Sequence, residues 1–345
     1  MEIGIDSFAA ADLGADGKQA TPAEVSIAEL LERIVHADRS GLDTFGIGEH
    51  YRVEFLDSAP TILLAAAAAM TERITLTSAV SVLSAIDPVR LYQQFATLDL
   101  VAPRRIEMVV GRGSFTEAFP LFGMRLEDYD EIFSEHLDLL MQLRAHEQVT
   151  WSGNFRPDLK NQTVLPRPVV DEIPIWLGVG GSPESFIRAG RLGLPLMVAV
   201  IGGNTSRFRP LVDLYRQAWA EAGHPADKQK VGLHSPGYVT SNTQEALETY
   251  FPGYVTTTAR IARDRGWPRA TWQSFMTQAG PKGAFVIGDP QVVADKILAH
   301  SAALGGVDRF TFQMDIAGLS HDQLMESITL IGKEVLPLVR SGTRQ

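Results

Sequence analysis

Residues 21–50 read TPAEVSIAELLERIVHADRSGLDTFGIGEH. In the first half, Ile27, Leu30, Leu31, Ile34 and Val35 recur at spacings of three and four, which makes one apolar face of a helix. Thr21-Pro22-Ala23-Glu24 predicts the start of that helix, as a capping box with proline at the first helical position, and Gly41 predicts its end. Thr44–Gly48 then reads as a short strand buried on both faces. A helix leading into a buried strand through a few residues is the repeating piece of a β/α fold.

The same piece recurs along the chain. Buried-strand runs fall at Glu2–Phe8, Thr44–Gly48, Ile74–Leu83, Ile106–Val110, Ile173–Val179, Leu196–Val200, Val231–Thr240 and Phe310–Met314. Helical patterns lie between them. Asp87-Pro88, Ser182-Pro183 and Asp289-Pro290 each place a cap residue before a helix-opening proline. The last helix starts at Ser320 and should bury Leu324, Ile328, Ile331 and Val335. Eight strand–helix pairs predict a TIM (β/α)8 barrel, one domain over residues 1–345. A doubly wound open sheet is the competitor, and it usually uses fewer strands at this length. Glu147–Pro168, after the fourth helix, and Ser241–Gly288, after strand seven, are too long to be simple connections. Both are predicted insertions, and the second, with its aromatic-rich Trp267–Phe285 segment, is a candidate lid.

The 345 residues carry a net charge of −10 with no run of Lys and Arg, which argues against duplex nucleic acid and anionic membranes as partners. There is no cysteine, so disulfides, thiolate metal sites and cysteine nucleophiles are absent. No HxH or HExxH spacing occurs, and no metal is expected. The apolar run Ile62–Met70 has nine residues, too few to span a bilayer, and the N-terminus lacks the pattern of a signal peptide. The expected location is the cytoplasm.

A barrel of this kind carries its chemistry where strands end. The second strand ends in Glu49 and His50, where an imidazole can exchange protons near neutral pH; capping of the barrel is the bland alternative. The third strand narrows to small residues at Ser78-Ala79, which suits a flat ring and equally suits a tapering core. The fourth ends Gly111-Arg112-Gly113-Ser114: glycines permit close backbone approach and the guanidinium is a forked donor. After the fifth, Gly180-Gly181-Ser182-Pro183-Glu184-Ser185 enters a helix N-terminus, a ready anion site in which Ser182 can also be a cap. His36 and His136 read as surface or packing residues. His300 lies near a helix end that favours positive charge, and the direction of His234 in strand seven stays open. There is no GxSxG elbow and no P-loop.

Taken in order, Gly46-Ile-Gly48-Glu49-His50, Asp87-Pro88-Val89-Arg90 with Ala96-Thr97-Leu98-Asp99, Gly111-Arg112-Gly113, and Gly180-Gly181-Ser182-Pro183-Glu184-Ser185 with Ala189-Gly190 and Gly193 resemble the luciferase-like monooxygenase family over nearly the whole chain. The resemblance implies reduced FMN, supplied by a flavin reductase or by NAD(P)H, acting with O2 on a small organic substrate. It implies a non-proline cis peptide at Ser78-Ala79 against the flavin ring, Arg112 as a flavin-binding arginine with Gly111 and Gly113 beside it, and Ser182 and Ser185 as phosphate ligands beside Gly180 and Gly181. Glu49 and His50 match the family's pair beside the ring, with Glu49 orienting His50. Gly111 stands where light-emitting members carry a reactive cysteine, which argues against luminescence. A second phosphate-binding arginine has no obvious match, Arg125 being displaced. The resemblance also implies a homodimer through early helices, where the Ala65–Ala69 run permits close approach. A deazaflavin-dependent dehydrogenase or reductase, or a flavin-binding protein without turnover, are the alternatives.

Overall fold

In chain order the elements are β1 (Glu2–Ser7), α1 (Ala23–Arg39), β2 (Thr44–Ile47), α2 (Pro60–Met70), β3 (Thr75–Ser78), β4 (Ser81–Val82), α3 (Pro88–Val101), β5 (Met108–Gly111), α4 (Ala118–Leu121), α5 (Tyr129–Ala145), β6 (Gln148–Trp151), β7 (Leu159–Thr163) and β8 (Ile175–Val179). There follow α6 (Pro183–Arg191), β9 (Leu196–Ala199), α7 (Arg209–Glu221), β10 (Val231–Val239), α8 (Thr243–Arg265), α9 (Trp272–Ala279), β11 (Val286–Gly288), α10 (Pro290–Leu304), β12 (Arg309–Gln313), α11 (His321–Leu330) and α12 (Leu336–Gly342). The computed structural model describes residues 1–13, 19–113, 115–266 and 268–343; Ser114 and Trp267, named above, lie outside them.

Neighbouring strands run in the order β3-β2-β1-β12-β10-β9-β8-β5-β4, and every pairing in that series is parallel. β3 and β4 are halves of one predicted strand, so the ends of the series are the same stave. The ring closes where the Leu76 amide donates to the Arg105 carbonyl (2.8 Å) and the Glu107 amide to the Leu76 carbonyl (3.1 Å). This is the predicted eight-stave TIM barrel.

The split stave changes partner at Ala79–Val80, which is the cis peptide. The resemblance placed that bond at Ser78–Ala79. It falls one residue later, because the Ala79 amide still bonds the Ile47 carbonyl of β2 (2.8 Å) before the chain crosses to β5. Glycines make the room: a Cβ on Gly178 would lie 2.7 Å from Val80 Cγ1, and one on Gly111 2.9 Å from Val80 Cγ2. Val80 caps a buried cluster of Val109, Trp176 and Met197 inside the barrel. Beneath it Arg309 is held between Glu107 (2.7 Å) and Glu2 (2.6 Å), with its guanidinium 4.3 Å over the Trp176 ring.

Asp87, Asp289 and Ser320 cap their helices as their sequence positions predict. Leu324, Ile328, Ile331 and Val335 are buried. The capping box at Thr21 does not form: Pro22 takes the cap position, and the Thr21 hydroxyl donates to Asp12 at 2.7 Å.

The first insertion is the antiparallel hairpin β6–β7, fastened by Trp151 Nε1 to Asp138 (2.8 Å). The second holds α8, α9 and β11, a strand of three residues that joins the end of β10 and that the sequence reading left inside the insertion. Phe251, Tyr254, Phe275 and Phe285 pack it together. A Cβ on Gly253 would lie 1.5 Å from the Ala317 carbonyl oxygen, so α8 rests directly on the turn after β12. Gln278 reaches the Gly203 amide (2.7 Å) in the loop after β9. The insertion therefore sits on loops at the C-terminal mouth. Lys296 secures its exit by donating to the carbonyls of Ala279 (2.8 Å) and Phe285. Burial brings that lysine down to about 7 and, with Lys296 as neighbour, His300 down to about 4. His300 is thus neutral and buried, not a cation serving a helix end. No helix among the described residues is long and apolar enough to cross a membrane.

Candidate active site

At the mouth the chain leaves β2 through Gly48-Glu49-His50 and turns back at Asp57. Asp57 is fully buried, and its carboxylate accepts both from His50 Nδ1 (2.8 Å) and from the His50 backbone amide (3.0 Å). Two bonds to one residue fix ring and backbone together. Gly48 is required beneath the pair, because a Cβ there would lie 2.7 Å from Phe8, 2.8 Å from Asp57 Oδ2 and 3.0 Å from His50 Cε1. Phe8, Phe55 and Phe115 surround the imidazole at ring separations of 4.5, 4.5 and 5.4 Å. Burial raises the Asp57 carboxyl above its ordinary value, and the His50 hydrogen bond opposes that. The arrangement leaves Nε2 as the nitrogen free to exchange a proton, since it has no partner among the described residues.

Glu49 does something else. Its two oxygens accept from the Tyr51 hydroxyl and from the Val82 amide (3.0 Å), so it clamps β4 to the second stave. Burial outweighs both hydrogen bonds and pushes its carboxyl up to about 7. The expectation that Glu49 orients His50 is corrected: Asp57 does so. Asp57 lies seven positions after His50, in a loop whose return the sequence alone does not reveal.

Ser78 is also reassigned. Its hydroxyl donates to the Val109 carbonyl (2.9 Å) and accepts from the Val109 amide (3.2 Å), stitching the third stave to the fourth. Ala79 and Val80, by contrast, stay partly exposed in mid-barrel, as do Gly178 of β8 and Ala199 of β9. Together they form the floor of an open cup.

The second cluster surrounds the N-terminus of α6. A Cβ on Gly180 or Gly181 would meet nothing within 4 Å, so open space lies over both. Ser185 is buried in the first turn. Ser182 sits at the cap without a capping bond, its hydroxyl donating to the exposed Glu184 (2.6 Å). That bond holds the Glu184 carboxyl below its usual value. Arg112 pairs with Asp130 and lies 5.5 Å over the Tyr129 ring, whose hydroxyl donates to the Gly113 carbonyl (2.7 Å). Arg188, in the last turn of α6, is pulled down by burial and then by the charge of Arg112, and its guanidinium lies 5.4 Å over the Phe133 ring of α5. Arg125 is exposed and pairs with Glu127 instead.

No group of three or more His, Cys, Asp or Glu among the described residues is placed to hold a metal ion.

The luciferase-like monooxygenase family model matches residues 1–308. A Bacillus subtilis N-acetyl-S-alkylcysteine monooxygenase is 31% identical over 219 residues, covering 62% of each chain. An F420-dependent glucose-6-phosphate dehydrogenase of Beutenbergia cavernae is 32% identical over 185 residues, 51% of this chain and 54% of that one, so the match spans about half its length. The fold is shared with the oxygenating constituent of 3,6-diketocamphane monooxygenase of Pseudomonas putida, solved with FMN, at a TM-score of 0.79 and 20% identity over 98% of both chains. The chain belongs to the luciferase-like monooxygenase family.

Proposed function

We propose that this protein is a flavin-dependent monooxygenase that binds reduced FMN in the cup and uses O2 on a small organic substrate, with electrons delivered by a flavin reductase or by NAD(P)H. The observation that carries the reading is the coexistence, at one barrel mouth, of an imidazole held by a buried carboxylate and an open helix N-terminus whose first-turn Glu184 feels the charge of Arg112. The residues fit the group. The amides at Gly180 and Gly181, the Ser182 and Ser185 hydroxyls, Arg112 and Arg188 would hold the phosphate. Ala79 and Val80 would carry the ring, with Gly111 leaving room beneath Val80.

Reduced FMN supplies the electrons that activate oxygen. The chain's own contribution is proton handling and exclusion of water. Asp57 holds the Nδ1 of His50, so Nε2 is the atom that gives or takes a proton. The phenyl rings around it and the α8–α9 insertion above limit solvent. Glu49 is a positioning residue, keeping Val82 and thereby the cup floor in place. Exposed Ile62 and Met70 on α2 with Leu100 and Val101 on α3 support a homodimer across these neighbouring helices.

A deazaflavin-dependent reductase is the second reading, favoured by the similarity to the F420-dependent relative. The test is oxygen uptake by the purified protein with a flavin reductase, NADH and FMN, with and without His50→Ala. Uptake above that of the reductase alone, altered by the substitution, supports the proposal. Identical uptake with and without the protein rejects it, and reduction of a deazaflavin under the same conditions selects the second reading.

A further inference from the structure

A second imidazole stands at the same cup. His234 lies in β10, where its sequence neighbours face outward: Ser235 donates to the carbonyls of Val200 (3.0 Å) and Ala284 (2.5 Å). His234 itself faces inward, and its Nδ1 lies 2.7 Å from Asp6 Oδ2 of β1. The same carboxylate oxygen accepts from the Thr311 hydroxyl of β12. Three adjacent staves thus set one ring. Its register neighbour on β9 is Ala199, one of the partly exposed residues of the cup. One layer further in, at Gly232, the core is closed by Met197 and Trp176. His234 therefore occupies the interior layer directly above the Met197–Trp176 core.

The pair repeats the geometry of His50 and Asp57. Both imidazoles have Nδ1 on a buried carboxylate, and neither Nε2 has a partner among the described residues. The Phe8 ring stands between them, 4.5 Å from His50 and 5.9 Å from His234, with the latter stacked at 19°. A histidine that merely fills a core has its second nitrogen satisfied or wholly enclosed, and the Nε2 of His300 is the enclosed case here. The Nε2 of His234 is not among the enclosed, partnerless atoms; the ring keeps a little open surface beside Ala199 and Phe8. The sequence signal was Asp6 in the strand EIGIDS, whose partner 228 positions away no local pattern could supply.

We propose that His234, held by Asp6, is a ligand-facing residue of the cup that sets a carboxylate-backed imidazole against the reduced flavin ring. The inference rests on the reading that the cup takes FMN. A carboxylate on Nδ1 makes Nε2 a stronger hydrogen-bonding atom, and the reduced FMN ring is richer in electrons and in N–H donors than the oxidised ring. His234 should therefore favour the reduced form over the oxidised form.

The test compares dissociation constants of oxidised and reduced FMN, the latter anaerobically, for the full chain, for His234→Gln and for Asp6→Asn. Wild type is expected to prefer reduced FMN, and His234→Gln should shrink that preference by about three- to tenfold, the effect of about one kcal/mol from one hydrogen bond. Asp6→Asn should shrink it by a smaller factor. A merely structural role would weaken both forms equally and leave the ratio unchanged, which would overturn the inference. Should His234→Gln not fold, Asp6→Asn and the change in the His234 imidazole nitrogen resonances on FMN addition decide the matter. Resonances indifferent to FMN count against the proposal. Failure of the wild-type chain to bind FMN in either form rejects the flavin reading together with this one, and so is distinguishable from an unchanged ratio.

Discussion

The carboxylate of Asp57 receives both the ring nitrogen and the backbone amide of His50, at 2.8 and 3.0 Å, from a position fully shielded from solvent. This double attachment sets both the tautomer and the direction of the imidazole, so Asp57 should matter almost as much as the histidine it holds. His50→Ala should lower turnover with reduced FMN and oxygen by about 10²-fold or more, the usual scale of a lost proton-transfer group. Asp57→Asn should retain the fold, cost less than His50→Ala, and displace the pH optimum. Steady-state rates across pH 5–9 check this. An Asp57→Asn profile superimposable on wild type would remove Asp57 from the account.

The charge of Arg112 acts both on Glu184 in the first turn of α6 and on Arg188 further along it. If the N-terminus of α6 receives a phosphate, replacing either arginine by alanine should weaken FMN roughly ten- to a hundredfold, as loss of a hydrogen bond to a charged group does. Riboflavin, which has no phosphate, should bind each variant as it binds wild type. Fluorescence titration with both ligands gives the answer, and equal weakening of the two would place the arginines elsewhere in recognition.

Gly178 and Gly180 make a paired test of packing against access. A methyl on Gly178 meets Val80 at 2.7 Å inside the barrel, so Gly178→Ala should destabilise by about 1–3 kcal/mol. A methyl on Gly180 meets nothing within 4 Å, so Gly180→Ala should leave stability unchanged and reduce FMN affinity alone. Urea denaturation and flavin titration on the two variants separate these outcomes.

Glu49 gives a pH signature. Its carboxyl sits at about 7 in the fold against 4.5 ordinarily, so the folded chain holds this proton after the unfolded chain has released it. Stability from this group is therefore full below about 4.5, falls as pH rises toward about 7, and is level above. The two values bound the effect at roughly 3 kcal/mol. Glu49→Gln cannot ionise, and its stability relative to wild type should improve from pH 4.5 to pH 8. Urea unfolding at both pH values measures it. A relative stability independent of pH would show that Glu49 titrates normally.

The barrel was legible in the sequence because its staves are buried on both faces and several of its helices announce their start. Asp87, Asp289 and Ser320 act through neighbours two or three positions away, and local spacing suffices for them. The cup was legible only in part. His50, Arg112 and Ser182 sit at strand ends, where topology alone makes residues conspicuous. Their partners do not. Asp57 reaches His50 by a loop reversal, Asp6 meets His234 across β12, and Arg188 comes under the charge of Arg112 only once α6 packs beside Phe133 of α5. Glu49 and Ser78 were conspicuous by position, but they spend their polar atoms on backbone groups and on Tyr51. Residue type suggested their chemistry, and only the neighbouring staves decided it.

The most direct measurement is an anaerobic calorimetric titration of photoreduced FMN into the full chain, run beside reduced riboflavin and a reduced deazaflavin. The account expects one saturable FMN site per chain, at least about tenfold tighter than riboflavin, the scale of a charge-assisted phosphate contact. Absence of FMN binding, or FMN and riboflavin binding alike while the deazaflavin binds more tightly than both, would contradict it.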